Sequence, residues 1–284
     1  MPQSCMLGAL LINLDRDPER HSHMAAEFER IGLPYTRIPA VLGLGMPGWV
    51  KPYFLDASGN IASGLKAGEV GCYASHLVVA KHLIDSGRAY ALICEDDLTL
   101  PDDLVPLLES ALGRLPAGWD ILRLSNPPKA AYSVIADLPA GRDLVLYSRV
   151  PNNTGCHLLS RSGAEKLLAP GVRSLQIDEH LRRPWRLEME TYGIAPAPVI
   201  SNIFDSTIDA ISDRGLGLES WVAKTRRRDL GSPADWLRQI IWQVGHLGVP
   251  GVLSAFVRTH LASLGKRRGQ GKTAKVDPLL RMKA

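Results

Sequence analysis

Three consecutive acids, Glu95, Asp96 and Asp97, close a short apolar run in ALICEDDLTL, residues 91–100. Adjacent carboxylates repel one another, so a cation, an arginine or a helix N-terminus has to compensate them. A hard divalent ion such as Mg²⁺ or Mn²⁺ suits that chemistry. It takes oxygen ligands, uses one or two protein carboxylates and completes its shell with water and substrate phosphates. On an extended strand Glu95 and Asp97 share one side and Asp96 faces the other, so a metal would see that pair, or a bend. The competing reading is capping: Asp96 or Asp97 starts a helix over LTLPDDLVPLLESAL, with Pro101 suited to its first turn. The triplet alone leaves both readings open.

The elements that must carry these acids are legible in the surrounding pattern. Leu92, Ile93 and Cys94 read as a buried strand that delivers the carboxylates to a strand end, where open α/β sheets hold ligands. Leu7 to Leu14 reads as a first strand, Pro18 to Arg30 as a helix stopped at Gly32, and Tyr35 to Val41 as the next strand, a βαβ opening. Gly43 to Gly64, rich in Gly and Pro with Trp49, Tyr53 and Phe54 spaced through it, reads as an ordered functional loop. A helix runs from Ala67, with Leu77, Ala80, Lys81 and Ile84 at helical spacing and Gly87 as its stop. Helices over 104–115 and 162–168, a strand over 119–124 and a return pair over 144–150 and 156–159 follow. This alternation predicts an α/β fold, a mostly parallel twisted sheet flanked by helices, with an antiparallel excursion near residues 143–160.

The bulk numbers narrow the class. A chain of 284 residues, 45% hydrophobic, builds a sizeable core in one large or two small domains. The net charge of +4 hides a division: from Leu216 onward there are 13 Lys and Arg against 4 Asp and Glu. The rest of the chain is net acidic. Cys5, Cys72, Cys94 and Cys156 show no CxxC spacing, which predicts reduced thiols in a reducing cytosol and no structural zinc. MPQSCMLGALLINLDR lacks a basic flank and reads as a strand rather than a signal peptide. No run of about 18 uninterrupted apolar residues is present, which predicts a soluble or peripheral protein. Nucleophilic Ser or Cys chemistry has little support, because no Ser sits in GxSxG and Cys72 has only His76 nearby in sequence as an activating partner.

Taken together, INLDRDPERHSHM, GEVGCYASHLVVAKHLI, YALICEDDLTL, NTGCHLLSRSGAEKLL and QID, in order across roughly Leu7 to Ile208, resemble glycosyltransferase family 25, the lipopolysaccharide and collagen galactosyltransferase-like family. The resemblance implies a GT-A-like nucleotide-diphospho-sugar transferase fold, a Mn²⁺ or Mg²⁺ ion, and inverting transfer of a hexose, galactose favoured, from a UDP-sugar to a surface-glycan or lipopolysaccharide-type acceptor. It gives the acidic triplet the role of a DxD motif: Glu95 and Asp97 hold the metal, and Glu95 and Asp96 contact the donor. Asn13, Arg16 and Arg20, with Asp15 between them, stand at the first strand's end and the following helix, where nucleotides commonly rest; guanidinium forks there suit a diphosphate. Arg20 equally suits a surface pair with Asp17 or Glu27. Ser75 and His76 match the family's Ser-His pair and are expected at the donor, with Glu69 one or two turns before them; a structural histidine is the competing reading.

An inverting transferase needs a base to take the acceptor hydroxyl proton. Asp178, after Leu175 and Ile177, matches the family's hydrophobic-Asp motif and is the candidate, with helix capping as its alternative and Glu179 and His180 as neighbours able to exchange roles. Asp205 and Asp209 are candidates for a further ligand. The reading outside catalysis is a non-catalytic sugar-nucleotide or glycan-binding relative of the same fold.

The expected organisation is a catalytic domain over 1–215, a basic amphipathic helical extension over 216–264 and a disordered tail over 265–284. Trp236, Leu237, Ile240, Ile241, Val244 and Leu247 form one helical stripe, and residues 252–264 repeat it before Lys266, Arg267 and Arg268. That pattern fits helices lying on an anionic membrane surface, suited to a lipid-linked glycan acceptor, or a helical cap on the domain. Nucleic acid is not expected as a partner, because the charged part of the tail lacks interleaved aromatics. The expected location is the cytoplasm, or the inner membrane face as a peripheral protein.

Overall fold

The computed structural model describes residues 7–201, 233–267 and 277–283. In chain order the elements are β1 (Ala9–Asn13), α1 (Pro18–Arg30), β2 (Tyr35–Pro39), α2 (Ala67–Asp85), β3 (Tyr90–Cys94), β4 (Leu98–Thr99), α3 (Leu104–Leu112) and β5 (Ile121–Arg123). They continue with β6 (Tyr132–Leu138), β7 (Arg142–Tyr147), β8 (Cys156–Ser160), α4 (Arg161–Leu167), α5 (Ile177–Leu181), β9 (Thr191–Ala195), β10 (Ile200–Ser201), α6 (Pro233–Arg267) and β11 (Arg281–Lys283).

Among the described residues, nine strands form one sheet in the order β11-β6-β7-β9-β5-β8-β3-β1-β2, and β4 pairs with β10 apart from it. Seven of the nine run in one direction; only β7 and β8 run back. This is the mostly parallel sheet the alternation predicts, with its antiparallel members inside the expected stretch. They are not each other's partners, however. β8 inserts between β3 and β5, and β7 between β6 and β9, so the loop 148–155 carries the chain across the sheet between them.

Side-chain alternation explains why helices cover both faces. Leu10, Ile93 and Ile121 face α2 and α4, where Val70, Tyr73, Leu77, Ala164 and Leu167 bury them. Leu11, Leu92 and Leu122 face the opposite way, onto Met24 and Phe28 of α1 and Leu104, Leu107 and Leu108 of α3. Each such large apolar side chain contributes about 1.5–3 kcal/mol when fully buried. Cys94 and Cys156 pack inside the second layer as small hydrophobes, Sγ to Sγ 3.8 Å apart.

α2 lies close to the sheet because of one glycine. A Cβ at Gly71 would sit 2.6 Å from the Val41 carbonyl oxygen and 2.7 Å from the Gly43 nitrogen, so no larger residue permits that approach. α3 begins at Leu104 with Asp103 at its N-cap, after β4, so neither Asp96 nor Asp97 caps it.

The end of the chain departs from expectation. Residues 277–283, within the stretch expected to be disordered, form a short 3₁₀ turn and then β11, which pairs in parallel with β6 and completes the sheet edge. Arg281 donates two hydrogen bonds to Asp143, at 2.7 and 2.9 Å, which holds the strand in place. α6 is a single stretch of helix interrupted at Gly248, where φ is 66° and ψ 163°. By length and composition its residues Pro233–Ser263 suffice to cross a membrane, an 18-residue stretch within them having mean hydropathy 1.5. Polar and charged residues interrupt it, which is why no unbroken apolar run reveals it.

Candidate active site

The acidic triplet leaves β3 with its first two carboxylates on opposite faces, as period-two alternation requires. Asp96 turns toward α1. Its Oδ1 accepts from Arg20 Nε at 2.8 Å and pairs with Arg20 Nη2 at 2.5 Å, while its Oδ2 accepts from Asn13 Nδ2 at 2.7 Å. The mutual repulsion of the triplet is thus relieved partly by an arginine. Asn13, Arg20 and Asp96, all expected at the donor, converge on each other beneath β1. Asn13 Oδ1 also accepts from Arg37, which in turn pairs with Asp15. Arg16 is exposed in the turn before α1.

Glu95 turns toward α2. Its Oε1 accepts from Thr154 Oγ1 at 2.6 Å and from His76 Nε2 at 3.4 Å. Burial pushes this carboxyl up, but the hydrogen bond and charge of His76, the Thr154 hydroxyl and the charge of Arg123 outweigh it, so Glu95 is held below the ordinary carboxylate range. It is ionised at neutral pH. Asp97 follows, half-buried in the bend that leads to β4. Ser75, beside His76, ties α2 to the start of the Gly-rich loop instead of facing Glu95. Its hydroxyl donates to the Gly71 carbonyl and accepts from the Val41 amide, both at 2.8 Å. Glu69 accepts from the Lys66 amide at the start of α2 and from the Gln176 side chain just before α5, which seats α5 on α2.

Behind Glu95 the His76 ring stacks on His157, centroids 6.0 Å apart with 20° between planes. Burial, and then the charges of Arg123 and His76, push His157 well below its usual range, so it is neutral. Its Nδ1 lies 3.1 Å from the Thr154 carbonyl, which assigns the ring proton to Nδ1. Arg123, at the end of β5, is 1% exposed. Its Nη2 reaches only the Pro151 carbonyl at 3.4 Å, and Nε and Nη1 have no hydrogen-bond partner among the described residues. Room for the Tyr147 ring depends on Gly193, which pairs with Arg123 across the strands and where a Cβ would lie 1.8 Å from the Tyr147 hydroxyl oxygen.

Asp178 sits in the first turn of α5, with Gln176 rather than Asp178 at the cap. Its Oδ2 accepts from Asn152 Nδ2 at 2.8 Å and its Oδ1 from the Glu179 amide at 2.8 Å. Burial raises its pKa, with the negative charges of Glu179 and Glu95 adding to the rise. The charge of Arg123 is felt by both Glu95 and Asp178. The loop 148–155 also ties them together, since Pro151 meets Arg123, Asn152 holds Asp178 and Thr154 holds Glu95. The neighbours of Asp178 have other roles: Glu179 pairs with Arg182 and Arg183, and His180 bonds the Tyr73 hydroxyl at 2.7 Å with its pKa pushed down to about 3 by burial and by Arg173.

Asn152, Thr154, Arg123 and His157 were not singled out from sequence as site residues. Arg123 carries a readable signal, since a charged residue closing the apolar strand WDILRL is costly to bury without purpose. Asn152 and Thr154 have none outside the fold, because their partners are 26 and 59 residues away. Asp205 and Asp209 lie outside the described residues.

Glu95 and Asp97 supply oxygen donors, the set a hard divalent cation takes. Among the described residues no three His, Cys, Asp or Glu side chains gather into a metal cage. A cation held by one or two carboxylates and completed by substrate phosphates needs no such cage, so the donor chemistry fits.

Comparison with known proteins adds a lineage to this geometry. Residues 6–132 match the model of glycosyltransferase family 25 (LPS biosynthesis protein). A glycosyltransferase 25 family member of Aedes aegypti is 26% identical over 188 residues, covering 60% of this chain and 30% of the relative. An inactive glycosyltransferase 25 family member 3 of Mus musculus is 31% identical over 239 residues, covering 72% and 38%. Procollagen galactosyltransferase 1-A of Xenopus laevis is 28% identical over 189 residues, covering 60% and 30%. The chain therefore spans well under half the length of these relatives.

Proposed function

The chain is a relative of glycosyltransferase family 25, and from that premise we propose that it moves a hexose, galactose favoured, from a UDP-sugar to a surface-glycan or lipopolysaccharide-type acceptor with inversion at the anomeric carbon. The observation that carries this reading is the pairing of two differently tuned carboxylates in one site. Glu95 is held ionised by Thr154 and His76, and Asp178 is raised by burial. Environments that push two titratable groups apart suit them to different roles.

Asp178 is the base. Its Oδ2 takes the proton from the acceptor hydroxyl as that oxygen attacks the anomeric carbon opposite the departing diphosphate, and a raised pKa moves a carboxylate toward the optimum for proton abstraction. Asn152 and the Glu179 amide orient the carboxyl by donating to it. Glu95 and Asp97 are the residues that would hold Mn²⁺ or Mg²⁺, which supplies neutralisation of the charge gained by the leaving nucleoside diphosphate. Arg123 adds a fixed positive charge beneath the same region, and Asp96, Arg20 and Asn13 brace the strand end. The preference for galactose rests on the name of the Xenopus relative. A lipid-linked acceptor would bring the protein to the cytoplasmic face of a membrane.

A second reading, retention of the fold for sugar-nucleotide or glycan binding without turnover, is favoured by the names of several mammalian relatives, the mouse one among them, that carry an inactive or probable inactive designation. Incubation with a panel of nucleotide sugars, with Mn²⁺ and with chelator, separates the two. Slow UDP-sugar hydrolysis that needs the metal and is abolished in Asp97→Ala supports transfer. Binding without turnover of any donor supports the alternative, and equal turnover in chelator overturns the metal-assisted mechanism.

A further inference from the structure

α6 docks on the domain through small and polar residues together with Trp242 and Leu247, which pack against the core, and presents most of its other large apolar side chains to the outside, where a helix that packs only by hydrophobic burial would hide them. On the inner side, Ala255 and Ala262 are buried, and Thr259 Oγ1 accepts from the Ala131 amide at 2.9 Å. Gln243 donates to the Ser148 carbonyl at 2.7 Å, His246 meets Glu190 at 2.8 Å, and Arg186 and Trp185 grip Asp235. On the outer side Leu253, Phe256, Val257 and Leu261 form an i, i+3, i+4, i+8 stripe, with Phe256 74% exposed, and Trp236 and Ile241 extend the apolar surface before the Gly248 break. A contiguous apolar stripe of this kind marks an interaction surface.

We propose that the outer face of α6 lies in the plane of an anionic phospholipid membrane, with its apolar stripe in the acyl boundary and basic residues at the headgroups. Charge selects the occupant. Over residues 233–268 the sequence carries five Lys and Arg against one acid, Asp235, which Arg186 and Trp185 already hold, so two copies of this helix brought together repel one another while an anionic bilayer attracts it. Lys266, Arg267 and Arg268 follow the stripe in sequence. The in-plane orientation follows from the docking: a spanning helix would have to abandon the Thr259, Gln243 and His246 contacts, and the break at Gly248 divides the apolar stretch into two shorter helices. The inference deepens the acceptor reading and rests on it, for an enzyme held this way meets a lipid-linked glycan in two dimensions; its readout is vesicle binding.

The full chain is sedimented with vesicles of phosphatidylcholine alone and of phosphatidylcholine with phosphatidylglycerol, at low and high salt, beside the variant Leu253→Ser/Phe256→Ser/Val257→Ser. The expected result is partition onto the anionic vesicles only, weakened by salt and reduced at least tenfold in the variant, with the variant's melting temperature unchanged because the three side chains are exposed. Nucleotide-sugar hydrolysis measured on the same samples separates failure of this surface from failure of the transferase reading. Absence of vesicle binding overturns the proposal. So does a lipid-free dimer that the variant dissolves, which assigns the stripe to a second copy, or binding that only detergent releases, which assigns a span.

Discussion

Asn152 and Thr154 stand two residues apart on one loop and hold two different carboxylates, Asn152 donating to Asp178 at 2.8 Å and Thr154 to Glu95 at 2.6 Å. The loop that carries the chain from β7 to β8 thus sets both ends of the site at once. Any shift of that loop moves the proposed base and the proposed metal ligand together.

Removing Asn152 isolates one end. Its hydrogen bond favours the ionised form of Asp178, so Asn152→Ala raises that pKa further. A base works only when deprotonated, and activity is lost as pH falls through its pKa. The acid limb of the kcat/KM profile therefore moves to higher pH in the variant, while the plateau above it changes less. A profile whose acid limb stays in place removes Asp178 from the role of base.

Removing Thr154 isolates the other end. Thr154→Val deletes a hydrogen bond to an ionised carboxylate, an interaction of about 1.5–3 kcal/mol. Roughly a tenfold or greater loss of kcat/KM for the donor is expected, together with a higher metal concentration for half-maximal activity. Titration of activity with Mn²⁺ checks both.

Arg123 predicts a divergence of stability and function. Two of its guanidinium nitrogens are buried without hydrogen-bond partners, so the free protein bears their desolvation cost. An apolar side chain of similar size carries no such cost. Arg123→Met is expected to melt no lower than the parent and to lose roughly 100-fold in donor turnover. A variant that melts lower yet turns over normally would make Arg123 a structural residue only.

Gly193 tests the packing of Tyr147 beside the strand that carries Arg123. A Cβ there would overlap the Tyr147 hydroxyl, and overpacking of this kind costs about 1–3 kcal/mol or more. Gly193→Ala is expected to lose that much stability in chemical denaturation, and Gly193→Ala with Tyr147→Phe to recover part of it.

Much of this was legible in the residues. The divergence of Glu95 and Asp96 to opposite faces follows from strand alternation, and Gly32 and Gly87 stand just past their helices at φ of 65° and 70°. The full strand pairing is not legible: β7 and β8 are adjacent in sequence yet do not pair, since β7 joins β6 and the distant β9 while β8 joins β3 and β5, an order decided by non-local packing. β6 escaped notice because its burial is broken by intermediate and exposed positions along YSVIADL, as befits a strand near the sheet edge. In the site, residue types announced the acids, but the residues that tune them come from a loop whose meaning exists only once β8 has inserted between β3 and β5. The stripe on α6 was legible as amphipathic; its outward orientation was not, since apolar faces most often turn inward.

The most direct test is a crystal of the protein grown with manganese and UDP, with the metal located by its anomalous signal. Manganese is expected on Glu95 or Asp97, in contact with the diphosphate and on the Asp178 side of the loop 148–155. Manganese and diphosphate bound together at a site remote from Glu95, Asp97 and Asp178 would contradict it.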